Sequence, residues 1–270
     1  MKCYAGHIIE QKEIGKNWIY NICYGVFFRY ENDLLIINLQ YKYEFMKLKS
    51  IKKIKEIVEK EPTFCSAHNF DHVMRVYNLA LHLAENENVD LDVIKAATLL
   101  HDIGGKKEID DPTGKTDHAI EGAKMAKPIL NNLGYSKNKI KHIQDCIISH
   151  RYRTENKPQT KEAKIVFDAD KLETVGAIGI ARAFVWIGRN NAHIYKKVDI
   201  DKYTKENLDG KINGIIQDKT KHSPQINWET KDKYILNYLY TDKAKQIAKK
   251  RIIFSENFFK ELENEINNKM

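Results

Sequence analysis

From Met46 onward, apolar residues recur every three or four positions, and this spacing commits most of the chain to packed helices. Asn69 is placed to cap a helix running to about Glu85, with Val73, Val76, Ala80, Leu83 and Ala84 on one face. Asp90 caps the next, with Val93, Ile94, Ala97 and Leu100 inward, and Gly104-Gly105 end it. A polar loop holding Asp110, Asp111, Pro112 and Gly114 follows. Helices are expected from His118 to Leu133, ended at Gly134, and from Lys137 to about His150. A basic loop, Arg151 to Thr160, leads into the apolar stretch Lys161 to Phe184. Residues 190–230 carry no clear period. Lys231 to Asn267 gives one or two helices, with Ile247, Ile252, Phe254, Phe258 and Leu262 apolar.

The first 45 residues differ. They are rich in aromatics, and their positive and negative charges balance. Ile19–Tyr30 and Leu34–Phe45 are β-prone, with Glu31-Asn32-Asp33 as a turn, so a β-hairpin over Trp18–Phe45 is expected. Leu35, Ile37, Leu39, Tyr41 and Tyr43 alternate as a strand requires. Leu48 to Glu59 then reads as a basic helix stopped before Pro62. The expected fold class is all-α, a helical bundle with an N-terminal β-hairpin extension. Residues 1–45 form the extension, either an accessory hairpin or a segment read from an early start codon. Residues 46–270 form the helical domain, with a core over 65–189 and a C-terminal helical part over 231–267.

The 270 residues carry 45 Lys+Arg against 37 Asp+Glu, a net charge of +8. Because the first 45 residues are balanced, the excess lies in 46–270. Such an excess suits an anionic partner or a lysine-rich solvated surface, and the abundance of Lys, Ile and Asn throughout favours the surface. No apolar run approaches the ~20 residues of a membrane span, and no apolar segment of a signal peptide follows the first Lys. Cys3, Cys23, Cys65 and Cys146 are scattered without metal-binding spacing. Free thiols in a reducing cytoplasm are expected.

The strongest chemical signal is Leu99-Leu100-His101-Asp102-Ile103-Gly104, where a His-Asp pair closes an apolar helix at a glycine turn. His72 begins an apolar helix upstream, and Asp170 lies in Val166-Phe167-Asp168-Ala169-Asp170-Lys171-Leu172. Each falls beside an apolar helical face and can point into a bundle core. A buried His or Asp is costly unless paired, and a divalent metal is an efficient partner. Two imidazoles and two carboxylates suit Mn, Fe, Co or Mg better than structural zinc.

Together, His68-Asn69-Phe70-Asp71-His72-Val73-Met74-Arg75-Val76, the His101-Asp102 segment and Asp168-Ala169-Asp170-Lys171-Leu172-Glu173, followed by Gly176-Ala177-Ile178-Gly179-Ile180-Ala181-Arg182, resemble the HD-domain superfamily of metal-dependent phosphohydrolases. The likeness covers about residues 65–265, and the segment from Lys243 through Arg251 and Phe254 is similar to the last helix of bacterial HD nucleotide pyrophosphohydrolases. The resemblance implies an HD-type bundle and His72, His101, Asp102 and Asp170 as metal ligands, with Asp168 the competing choice for the last. In some branches of the family, histidines at the places of His118 and His150 hold a second metal. The alternative for both is a helix-terminal histidine. His68, one turn before His72, reads as a loop histidine. Departures from the family pattern are Asn69 where Asp is common, Gly105-Lys106-Lys107 without an acidic pair, and Asn227-Trp228 for Asn-His; the first two bear on substrate choice.

Asp102, Arg75 and Lys106 are the candidate catalytic residues, and Lys107, Arg151, Arg153 and Arg182 the candidate substrate contacts, since phosphate oxygens require such donors. Trp186 is a core or cleft-wall residue. The expected activity is metal-dependent hydrolysis of a nucleotide or other small phosphorylated metabolite, a triphosphate releasing pyrophosphate being one form. The alternatives are a di-iron oxygenase on the same scaffold and a nonenzymatic nucleotide or nucleic-acid binder. No membrane partner is expected; homo-oligomerisation is left open.

Overall fold

The computed structural model describes residues 8–14, 17–22, 25–28, 33–61, 66–151 and 155–269, with side chains from Met46 onward. The chain divides into two compact units, Met1–Lys53 and Ile54–Met270.

In the first unit, β1 (Ile8–Ile14), β2 (Asn17–Ile22) and β3 (Gly25–Phe28) form an antiparallel sheet in the order β1-β2-β3. Ile14 pairs with Asn17 and Ile22 with Gly25. The expected hairpin is corrected here. Its first half contributes to the β2–β3 pair, but Leu34–Phe45 is not a strand. It belongs to α1 (Asp33–Lys60). No Gly or Pro interrupts Asp33–Lys60, so the basic helix propagates backward through a run whose apolar residues satisfy both periods. Glu31 and Asn32, the expected turn, lie outside the described residues.

The second unit has no strand among its described residues. Its helices are α2 (Phe70–Ala84), α3 (Leu91–Leu100), α4 (Gly105–Asp110), α5 (His118–Asn132), α6 (Lys137–Ser149), α7 (Lys161–Lys171), α8 (Gly176–Asn190), α9 (Ile200–Asn207), α10 (Pro224–Thr230) and α11 (Asp242–Ile266). Asn69 and Asp90 cap α2 and α3 through their side-chain oxygens, as their positions predict. Gly134 closes α5 at φ +78°. The expected polar loop after Gly104 is helical over its first six residues, as α4. The apolar stretch Lys161–Phe184 is two helices, because Gly176 at φ +79° turns the chain where its amide donates to Ser255 Oγ.

Val76, Ala80 and Leu83 of α2, Ile94 of α3, Ile165 and Ala169 of α7, and Ala244, Ala248 and Phe259 of α11 share one buried core. Trp228 of α10 stacks on Phe259 within it. Tyr203, Leu208 and Ile226 make a smaller cluster around α9 and α10.

Two close approaches fix the frame. A Cβ on Gly104 would meet the His118 carbonyl oxygen at 2.3 Å, so only glycine lets the turn after α3 lie on the first turn of α5. Asp168, fully buried, accepts from the amides of Tyr240 and Thr241 and from Thr241 Oγ1 at 2.7–2.9 Å, joining α7 to the start of α11. Replacing Asp168 by Ala leaves buried donors unmet, and we expect a loss of about 2–4 kcal/mol in denaturant unfolding. A loss within experimental error of zero would contradict this structural role.

Candidate metal centre

Four histidines converge on one carboxylate. His72 stands in the first turn of α2, His101 and Asp102 end α3, His118 opens α5, and His150 caps the C-terminus of α6. Asp170, in the last turn of α7, completes the group. Asp168, the competing ligand, faces away, because two residues on a helix diverge by about 200°.

Each imidazole is fixed from behind. His72 Nδ1 lies 3.4 Å from Glu173 Oε2, and His101 Nδ1 lies 2.8 Å from the Thr98 carbonyl. His118 Nδ1 bonds Glu108, and His150 Nδ1 bonds the Ile147 carbonyl. These acceptors fix each ring from behind and turn every Nε2 inward. His72 Nε2 is 3.5 Å from Asp102 Oδ2 and 3.6 Å from Asp170 Oδ1. His101 Nε2 is 3.4 Å and 3.9 Å from the same two atoms. On the other side, His118 Nε2 and His150 Nε2 are each 3.6 Å from Asp102 Oδ1 and 3.2 Å from each other.

These spacings fit a cation better than hydrogen bonds. Bonds of about 2.1 Å put neighbouring ligand atoms roughly 3.0–3.4 Å apart, and the spacings here equal that range or exceed it by up to about 0.5 Å, a gap that a small inward movement closes. Among the described residues His101 Nε2 is buried without a hydrogen-bond partner, and the Nε2 atoms of His118 and His150, 3.2 Å apart, call for a proton or a cation between them. His72, His101 and Asp170 form one group that could hold a metal, and His101, Asp102 and His150 another. Asp102 has one oxygen toward each histidine pair.

The electrostatics agree. Burial alone would favour neutral acids, but His101, His150 and His72 hold Asp102 well below the usual carboxylate range, and Lys171 with these histidines does the same for Asp170. Burial likewise lowers His101, yet Asp102 and Asp170 overcome it and raise the ring to about 9, the mark of a site that draws positive charge. Burial pushes His150 down to about 4, which leaves a neutral ligand at pH 7.

The predicted basic residues are placed differently from one another. Arg75 Nε donates to Glu173 Oε2 at 2.8 Å, so it meets the group holding His72. Arg151 grips Glu108 at 2.9 and 3.0 Å and also pairs with Asp117, behind His118. Lys106 and Lys107 are exposed and pair with Asp110 and Glu121. Arg153 lies outside the described residues. Arg182 is held by the carbonyls of Ala67 and Glu173 and lines a cleft of about 430 Å³ beside the centre. The cleft also meets His68, Glu173, Trp186 and His222. Burial, then Arg182, lowers His68 to about 4.

Sequence reasoning assigned no role to Glu173, Glu108 or Lys171. Glu173 is three residues after Asp170, a spacing that shares a helical face. Nothing in the sequence distinguishes Glu108 from a surface acid. Lys171 Nζ lies 2.5 Å from Asp170 Oδ2 and leaves Oδ1 to the histidines.

Residues 69–175 match the HD domain. The uncharacterised protein YpgQ of Bacillus subtilis is 28% identical over 205 residues, covering 74% of this chain and 85% of YpgQ. Its crystal structure in complex with ADP aligns over 82% of this chain and 96% of that one, with a TM-score of 0.59 and 24% identity. An HD-superfamily hydrolase of Bacillus thuringiensis aligns over 83% and 98%, with a TM-score of 0.59 and 25% identity. Residues 69–175 are thus an HD domain, and the chain is similar in fold to HD-superfamily hydrolases. No helix among the described residues is long and apolar enough to cross a membrane.

Glu108 gives a pH test of the metal-free protein. Against partial burial, His118 and Arg151 hold its carboxyl at about 2 rather than 4.5. A depressed acid stabilises the fold above its unfolded pKa, and that stability is lost as pH falls from 4.5 through 2. After allowance for its partial exposure, the contribution is about 1–2 kcal/mol. Glu108→Gln should therefore lose less stability than wild type between pH 5 and 2.5 in urea melts. Parallel losses would show that the Glu108 contacts carry no net energy.

Proposed function

We propose that the protein is a metal-dependent phosphohydrolase acting on a nucleotide or a similar small phosphorylated metabolite. The observation that carries this reading is Asp102 lying between two pairs of inward-facing Nε2 atoms, beside a cleft whose lining includes Arg182 and Lys219.

His72, His101, Asp102 and Asp170 would hold one divalent cation, and His118 and His150 with the second oxygen of Asp102 would hold another. The mixed imidazole and carboxylate set suits Mn, Fe, Co or Mg. When bound, such an ion supplies a Lewis acid for the phosphoryl oxygens and lowers the pKa of water. The chain does the rest. Glu173 and Glu108 keep the rings oriented, so the donors need no rearrangement on binding. Arg182 and Lys219, both on the cleft, offer positive charge to a phosphate and to the charge that builds as its ester bond breaks. YpgQ, solved with ADP, binds a nucleoside diphosphate, and a cleft of about 430 Å³ has room for a ligand of that kind. A triphosphate cleaved to monophosphate and pyrophosphate is the finer form of the reading.

The same six ligands would suit two irons in an oxygenase, a reading that the His118–His150 pair supports. Anaerobic iron loading followed by exposure to air separates the two. The hydrolase hydrolyses phosphate esters with Mn or Co and consumes no oxygen.

The direct test is a panel of phosphorylated metabolites offered to metal-reconstituted protein. Asp102→Ala should abolish stoichiometric metal binding and lower kcat/KM at least 10³-fold while helical circular dichroism is retained. Full metal and activity in this variant would overturn the assignment. Glu173→Gln should weaken metal binding about 10–100-fold, read by competition with a chelator. Unchanged affinity would remove Glu173 from the positioning role.

A further inference from the structure

We propose that Arg251 and Ser255, on the last helix, are positioning residues for the candidate metal centre: they grip both ends of the turn that carries Glu173 and so hold its carboxylate against His72. The inference rests on the metal-centre reading above and extends it to α11, which supplies none of the candidate ligands.

Glu173 stands in a single helical turn, Leu172–Thr174, between α7 and α8. The turn does little to hold itself. The Val175 amide reaches the Leu172 carbonyl only at 3.5 Å, the outer limit of a hydrogen bond, and Thr174 Oγ1 adds a bond to the Lys171 carbonyl. Yet the buried Glu173 has three partners to meet at once. Its Oε2 accepts from Arg75 Nε at 2.8 Å and lies 3.4 Å from His72 Nδ1, and its carbonyl accepts from Arg182 at 3.1 Å. The placement of this one main-chain segment therefore sets both a ligand ring and a cation of the cleft.

The restraint comes from α11. Arg251 Nη1 donates to the Leu172 carbonyl at 2.6 Å, and Ser255 Oγ accepts from the Gly176 amide at 2.8 Å. The two side chains are one helical turn apart on the same face, so they meet the chain just before and just after Glu173. The Arg251 stem packs on the turn as well, since a Cβ at Gly176 would come within 2.9 Å of Arg251 Cγ. Ser255 is buried and Arg251 half-buried. Burial lowers the pKa of the guanidinium, and the charge of Glu173 opposes that loss. The end of α7 adds to it, because a cation is favoured beside the last carbonyls of a helix.

Packing of α11 does not require these contacts. Ala244, Ala248 and Phe259 anchor the helix in the core, and Asp168 holds its start. The polar groups of Arg251 and Ser255 fall instead on the turn that presents Glu173.

The experiment measures the Kd of Mn by competition with a chelator, on the full chain, for wild type, Arg251→Met, Glu173→Gln and the double variant. Methionine keeps an unbranched stem on Gly176 and removes the donor and its charge. Arg251→Met should weaken Mn binding about fivefold or more. In the Glu173→Gln background its effect should fall below half that factor, because residues that act through one group are not additive. A role confined to helix packing would lower the melting temperature without this pattern. A smaller loss in a folded Arg251→Met would overturn the proposal. So would a factor that is not halved beside Glu173→Gln, which would place the effect at Asp170 or in the fold at large. Should Arg251→Met not fold, Ser255→Ala, which removes only the acceptor for Gly176, is carried through the same cycle and judged by the same two results. If wild type binds no Mn, the metal-centre reading fails and this inference falls with it. Wild type that binds Mn while the variants match it overturns the inference alone.

Discussion

Asp102 lies between two pairs of imidazole nitrogens, one pair at each oxygen, and none of the four rings can turn away. Each is held by a hydrogen bond at Nδ1, two to carboxylates and two to main-chain carbonyls. The result is a concentration of lone pairs and negative charge that a divalent cation satisfies and that the protein alone leaves strained. Much of the bundle's architecture serves this cluster. Its members come from five helices, so no local stretch of chain could form it.

The frame tolerates little movement. Gly104 lets the turn carrying Asp102 lie against the first turn of α5, which brings His118 within 3.6 Å of Asp102 Oδ1. Asp168 and Asp170 share one helix and do opposite work. One anchors α11 through buried hydrogen bonds, and the other faces the histidines. Glu173 links the candidate metal centre to the cleft, since its carboxylate holds His72 and its carbonyl holds Arg182.

The helical bundle was legible in the sequence from its apolar period, and the resemblance to the HD family singled out His72, His101, Asp102 and Asp170, which the structure brings together. The caps at Asn69 and Asp90 were equally plain, since their side chains act locally. The groups behind the rings were not. Glu108 binds His118 from ten residues away through a helix that the sequence presents as a polar loop, and its partner Arg151 lies 43 residues downstream. Lys106 and Lys107, expected to meet phosphate, pair with the exposed Asp110 and the half-buried Glu121. The cleft's far wall comes from residues 190–230, where short elements bury few apolar side chains and leave no period to read. Leu34–Phe45 satisfied both strand and helix spacing, and only the continuity of the helix beyond it decides between them.

The central claim is that Asp102 joins two cation positions. Anomalous diffraction from Mn-loaded crystals tests it most directly. The account predicts one peak among His72, His101, Asp102 and Asp170 and a second among Asp102, His118 and His150, about 3.5–4 Å apart. Manganese bound elsewhere, or no peak within bonding distance of Asp102, would contradict it.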